Sequence, residues 1–127
     1  MGAPVVWKSK LQNLTACSSS EAELYAMYDA TMHSLLLNNL LSECYSNLQL
    51  FNYEDNSGCA DWINNLSSAT ASRMKGIETK YYKLQDLSEA SIVKFIKIPT
   101  VEQKADMFTK QMDGPIFIRQ LEMLYGI

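Results

Sequence analysis

Hydrophobic and polar positions recur along this chain in short blocks, and each block predicts an element. "PVVWKSK" and "NLTAC" read as two short strands joined by a polar turn around "KLQN". Ser20 then fits a helix N-cap, with Glu23 three residues on in the spacing of a capping box. Leu24, Met27, Tyr28, Leu35 and Leu36 give a helical apolar face out to about Ser42. "NLQLFNYED" reads as a strand, with Leu48, Leu50 and Asn52 on one side and Gln49, Phe51 and Tyr53 on the other. It ends in the turn-rich "EDNSG". "CADWINNL" predicts a short helix and "SSATASRMKG" a polar loop.

Helical spacing returns in "IETKYYKLQDL", through Ile77, Tyr81, Leu84 and Leu87. "SIVKFIKIP" is the clearest strand, rich in β-branched residues and closed by Pro99. Thr100 offers a second N-cap, with Gln103 at its N3 position. "EQKADMFTK" predicts a short helix, Gly114-Pro115 breaks it, and "IFIRQLEMLYGI" forms a last amphipathic helix. Strands and helices mix, so the fold class is α/β or α+β. The 127 residues are the size of a single domain, with no internal repeat and no low-complexity linker.

Composition narrows the picture. The chain is 47% hydrophobic and 20% charged, which fits a globular domain with a real core. No apolar run reaches the roughly 18 residues needed to span a bilayer, so no membrane partner is expected. The longest run is interrupted by Asn38 and Asn39. The first residues carry no signal-peptide pattern, and Val6 stands where a myristoylation signal wants Ser or Thr. Cys17, Cys44 and Cys59 are an odd number without a CxxC pair, which argues against a disulfide framework and a zinc site. A reducing, intracellular compartment is therefore expected. His33 is the only histidine, so Ser-His or Cys-His catalysis would rest on that residue alone.

Net charge is −3, unevenly spread. Residues 11 to 72 contain no Lys or Arg; residues 73 to 127 hold 9 basic and 7 acidic residues. Any phosphate contact would come from the first ten residues and the second half, and a solvated mixed surface explains the same charges. Asp55 follows a strand directly, and Asp106 lies in the segment after the last strand. With a helix-start glutamate they make a set of carboxylates of the kind that holds Mg²⁺. From the residues alone the alternatives stay open. Glu21 and Glu23 also suit the positive end of a helix dipole, Asp55 also suits a turn, and Asp106 also suits a helix surface.

Four ordered motifs sharpen the choice. "VVWKSKLQNLTACSSSEAELYA" resembles the Trp-Lys/Arg-Ser-Lys-x-Gln strand pair and Ser-Ser-x-Glu-Ala-Glu run near the end of copia-type retrotransposon polyproteins. "EDNSGCADWI" resembles that family's Cys-Asp-Asn-x-x-Ala segment, and "SRMKGIETKYYKLQD" its Ser-Arg-Thr-Lys-His-Ile helix entry. "IPTVEQKADMFTKQM" resembles its Val-Pro-Thr-x-Glu-Gln-x-Ala-Asp-x-x-Thr-Lys segment, and "FIRQLEMLYGI" its closing helix. The likeness covers nearly the whole chain. It implies a ribonuclease H-like domain of a Pol polyprotein, with a mixed sheet and flanking helices. The implied activity is Mg-dependent hydrolysis of the RNA strand of RNA–DNA hybrids during reverse transcription. The implied metal and catalytic carboxylates are Glu23, Asp55 and Asp106.

The same resemblance implies an N-terminally incomplete domain. The family's first carboxylate lies on an opening strand before the segment matched by "APVVWKSK". Lacking that strand and its aspartate, the two-metal arrangement is incomplete and hydrolysis is expected to be weak or absent. Gly76 stands where the family often has His, Met74 where Thr is common, and Tyr82 near another usual His. The alternative is a non-catalytic module that binds nucleic acid or a partner. Lys8, Lys10, Arg73, Lys75 and Lys80 are the candidate phosphate contacts in either reading. Implied partners are an RNA–DNA hybrid and the upstream reverse transcriptase of the parent polyprotein. The implied location is cytoplasmic, in a virus-like particle of the parent element, or nuclear.

Overall fold

The computed structural model describes residues 4–13, 15–16, 18–46, 48–64 and 78–127. The chain is mixed α/β and forms two compact units. One comprises Ala16–Lys97, the other Met1–Thr15 with Ile98–Ile127.

The larger unit opens with α1 (Ser19–Leu41). Its N-cap is Ser18, not Ser20: Ser18 has an extended backbone, and its Oγ accepts the Glu21 N–H at 3.1 Å. Glu21, not Glu23, therefore holds the N3 position. Its Oε1 accepts from the Tyr25 hydroxyl one turn on, at 3.1 Å. Leu24, Met27 and Thr31 are buried, while Leu36, expected on the apolar face, is largely exposed.

Strand β1 (Leu50–Glu54) follows, then α2 (Ser57–Asn64), α3 (Glu78–Glu89) and β2 (Val93–Lys97). The expected loop of residues 67–76 lies outside the described residues. β1 and β2 pair in parallel, Asn52 opposite Phe95 and Glu54 opposite Lys97. A parallel pair needs a long crossover, and the segment carrying α2 and α3 supplies it. Among the described residues these two strands form the sheet. The core joins Leu24 and Met27 of α1, Cys59 and Ile63 of α2, Tyr81, Leu84 and Leu87 of α3, and Val93 and Phe95 of β2. Each fully buried apolar side chain of this kind contributes roughly 1.5–3 kcal/mol. On the other face of β1, Phe51 and Tyr53 remain 50% and 52% exposed. Lys94, opposite Phe51 in register, sets its ammonium 6.0 Å from that ring's centre.

The second unit departs from expectation in three places. Pro4–Lys10 forms no strand, and its Val5 is 80% exposed. A strand needs a partner for its backbone; here Ser9 instead donates its hydroxyl to the Phe108 carbonyl at 3.1 Å. The "NLTAC" strand includes Leu14 and Cys17, outside the described residues, and its remaining residues are not in a strand. "EQKADMFTK" forms two short 3-10 turns, Thr100–Glu102 and Lys104–Phe108, rather than an α-helix. The N-cap of the first is Pro99, not the expected Thr100, which is already inside the turn. A segment confined between Pro99 and Gly114-Pro115 is short enough for 3-10 geometry to suffice.

Gly114 and Pro115 begin the last helix, α4 (Gly114–Tyr125), because proline suits a first helical turn. Gly126 ends α4 in the left-handed region, with the Ile127 N–H returning to the Glu122 carbonyl. Lys104 donates to the Met123 carbonyl at 2.9 Å, a cation at the negative end of that helix.

Helix α3 ends less comfortably. Ser91 sits at φ 56, the described non-glycine residue with positive φ, while the Ile92 N–H closes back on the Leu87 carbonyl. Ser91→Gly is expected to raise stability by about 1 kcal/mol by relieving the Cβ clash. A urea denaturation midpoint checks this, and a fall in the midpoint would contradict it.

Candidate functional site

Strand alternation builds the site. On β1, Leu50 and Asn52 turn inward, and the next inward position is Glu54. Asn52 satisfies its amide by donating to Thr31 Oγ1 of α1 at 2.8 Å, so a buried polar pair pins the strand to the helix. Glu54 is only 5% exposed. One of its oxygens accepts the Asn56 N–H at 2.9 Å. Asn56 in turn caps α2: its Oδ1 accepts the Cys59 N–H at 3.2 Å and lies 3.4 Å from Ser20 Oγ of α1. Gly58 lets the two helix starts approach, since a Cβ there would stand 3.2 Å from Ser20 Oγ. The starts of α1 and α2 thus meet beside the C-terminal end of β1.

The electrostatics are those of crowded carboxylates. Burial pushes the Glu54 carboxyl up from 4.5 to about 7; the negative charges of Glu23 and Asp55 push the same way, against the Asn56 hydrogen bond. The Cys59 thiol is pushed up to about 12, first by burial and then by Glu54 and Glu23. It is therefore an inert core thiol, not a nucleophile. His33 is also accounted for: its Nδ1 lies 2.7 Å from the Asp29 carbonyl one turn earlier, on the exposed side of α1.

The expected site residues divide as follows. Glu23 and Asp55, both half-buried, share the neighbourhood of Glu54 in the larger unit. Asp106 belongs to the other unit, where it is buried and paired with Lys110 at 2.8 Å. Lys8 and Lys10 are exposed on the N-terminal segment. Lys80 holds its ammonium over the rings of Tyr25 and Tyr28, at 4.6 and 5.3 Å from their centres. Arg73 and Lys75 lie outside the described residues. Sequence reasoning missed Glu54, although carrying the Leu50–Asn52 alternation one step further finds it. It also missed Lys110, four residues beyond Asp106.

Oxygen donors of this kind suit a hard cation such as Mg²⁺. Within either unit, no group of three or more His, Cys, Asp or Glu among the described residues is arranged to hold an ion. No helix among the described residues is long and apolar enough to cross a membrane.

Fold and site together define an α/β protein with carboxylates gathered at a strand end. Comparison with known proteins adds one similarity. The chain is 31% identical over 110 residues to the retrovirus-related Pol polyprotein from transposon TNT 1-94 of Nicotiana tabacum. The match spans 86% of this chain but only 8% of that polyprotein. This similarity supports a retrotransposon Pol-derived region. No family model and no solved structure matches the chain.

Glu54 makes stability depend on pH. Its folded carboxyl is raised above its ordinary value, so the folded state binds the extra proton. Stability therefore falls as pH rises from about 4.5 through about 7, by up to about 3 kcal/mol, and levels off above. Glu54→Gln should flatten that slope and exceed the parent in stability at pH 8 but not at pH 4.5. Urea melts across pH 4.5–8 test this; identical slopes for the two proteins would contradict it.

Proposed function

We propose that this chain is a ribonuclease H-like region whose carboxylates Glu23, Asp55 and Asp106 serve Mg-dependent hydrolysis of the RNA strand of RNA–DNA hybrids. The observation that carries the reading is the acidic end of β1, where the charges of Glu23 and Asp55 both bear on a buried carboxyl. Similarity to a transposon Pol polyprotein supports it, as do the four ordered motifs. A bound divalent ion would supply an activated water and stabilise the leaving oxygen.

The chain's own residues do the rest. Glu23 rides on α1, two residues beyond the Ser18–Glu21 cap that fixes the start of the helix. Asp55 is placed by the end of β1 and the Asn56 cap of α2. Lys8, Lys10, Arg73, Lys75 and Lys80 are the proposed phosphate contacts, with Lys80 steadied by two tyrosine rings. In the parent polyprotein the partner would be the reverse transcriptase upstream.

A second reading is a non-catalytic hybrid-binding module, in which the candidate phosphate contacts Lys8, Lys10, Arg73, Lys75 and Lys80 serve binding alone. The two readings separate in one pair of measurements. The hydrolytic reading expects hybrid binding that weakens as salt rises, and slow Mg-dependent cutting of the RNA strand alone. Asp55→Asn should then lower cutting by about a hundredfold, the scale on which one electrostatic transition-state contact is felt. Salt-dependent binding without cutting selects the second reading; no salt-dependent binding contradicts both.

A further inference from the structure

We propose that the outward face of the β1–β2 sheet binds single-stranded nucleic acid, with bases stacked on Phe51 and Tyr53 and a phosphate met by Lys94. This face uses none of the carboxylates of the hydrolytic reading.

Phe51 and Tyr53 of β1, with Lys94 and Ile96 of β2, hold the four outward positions. The two aromatic side chains are 50% and 52% exposed. Large apolar groups left in water on one face mark a contact surface more often than an accident of packing. Residues two apart on a strand stand about 6.7 Å apart on the same face. That is twice the rise of roughly 3.4 Å between stacked bases. Two rings so spaced suit successive bases drawn out of their own stack, as on other sheet platforms that bind single strands.

Charge on this face fits the same partner. None of the four outward residues carries a carboxylate. Residues 11 to 72 hold no Lys or Arg, so β1 brings rings without a cation. Register supplies one: Lys94 lies opposite Phe51, with its ammonium 6.0 Å from the ring centre. Among the described residues no carboxylate pairs with Lys94. A base on the Phe51 ring thus brings its backbone phosphate close to a cation. A second copy of the chain would set another Lys94 against the same small face, like charge on like charge. A duplex keeps its bases stacked on one another and offers the rings only its edges. Stacking and one phosphate contact read no sequence, so binding is expected to tolerate any base.

The test is fluorescence anisotropy of a labelled oligothymidylate of about a dozen nucleotides, titrated with the full chain at low and high salt. The parent is expected to bind, and more weakly at high salt. Phe51→Leu and Tyr53→Leu should each weaken binding by about tenfold, the scale of one stacked base. Tyr53→Phe keeps its ring and should bind as the parent does. Lys94→Met should lower the logarithmic salt slope by about 0.7, the share of one phosphate on a single strand. An RNA–DNA hybrid should bind the ring variants and the parent alike. Circular dichroism confirms that each variant folds. Ring-proton NMR needs no variant: the Phe51 and Tyr53 resonances of the parent should move upfield as oligothymidylate is added. Unmoved resonances, absence of single-strand binding, or leucine variants that bind like the parent overturn the proposal. An equal loss of hybrid binding in those variants overturns it as well. Self-association of the parent that the leucine variants abolish, read by sedimentation, would make a second copy the occupant and overturn it too. If the hybrid binds and the single strand does not, only this proposal fails and the hydrolytic reading stands.

Discussion

The larger unit depends on one constraint: successive side chains of β1 face opposite ways. Pairing with β2 in parallel fixes which face is inward, because Val93 and Phe95 of β2 belong to the core. Once Leu50 turns inward, Asn52 and Glu54 must follow. Asn52 is accommodated by Thr31 of α1. Glu54 is accommodated by one backbone N–H and by holding its proton more tightly. The outward face takes Phe51 and Tyr53, so apolar rings are exposed while a carboxyl is buried. That inversion is unfavourable for a plain folding domain. Perturbed carboxyls of this kind concentrate at functional sites, which makes the end of β1 a candidate site.

The same constraint orders the chemistry. The Glu23 charge bears on the β1 end from an α1 capped at Ser18, with Glu21 engaged in the cap and with Tyr25. Asp55 is held one residue beyond Glu54 by the turn that Asn56 closes into α2. Burial, aided by the negative charge concentrated there, raises Glu54 and silences Cys59. Asp106 obeys the same rule in the other unit, where a buried carboxylate has its own cation in Lys110.

Much of this was legible in the sequence, and the failures have physical causes. Helical spacing of apolar residues found α1, α3 and α4, "CADWINNL" read as the short helix α2, alternation found β1, and a β-branched run found β2. "PVVWKSK" reads as a short strand but has no partner strand among the described residues, and a strand without a partner makes no sheet. Three consecutive serines are chemically equal caps, so only the backbone settles on Ser18. Proline near a helix start reads as a breaker unless its position in the first turn is known, as at Pro115. Ordered motifs named Glu23, Asp55 and Asp106 as candidates; the first two lie near Glu54 in the larger unit, and Asp106 belongs to the other. Glu54 and Lys110 were not, since their importance lies in burial and pairing, which spacing alone does not reveal.

The inward aim of Glu54 is the claim on which the account turns. Carbon-13 NMR of the glutamate carboxyls, titrated from pH 4 to 9 in the intact chain, measures it at the atom concerned. The account requires the Glu54 resonance to titrate near 7, raised from the ordinary 4.5 by burial. A Glu54 midpoint at the ordinary 4.5 would place that carboxyl in water and contradict the strand register from which the site is built.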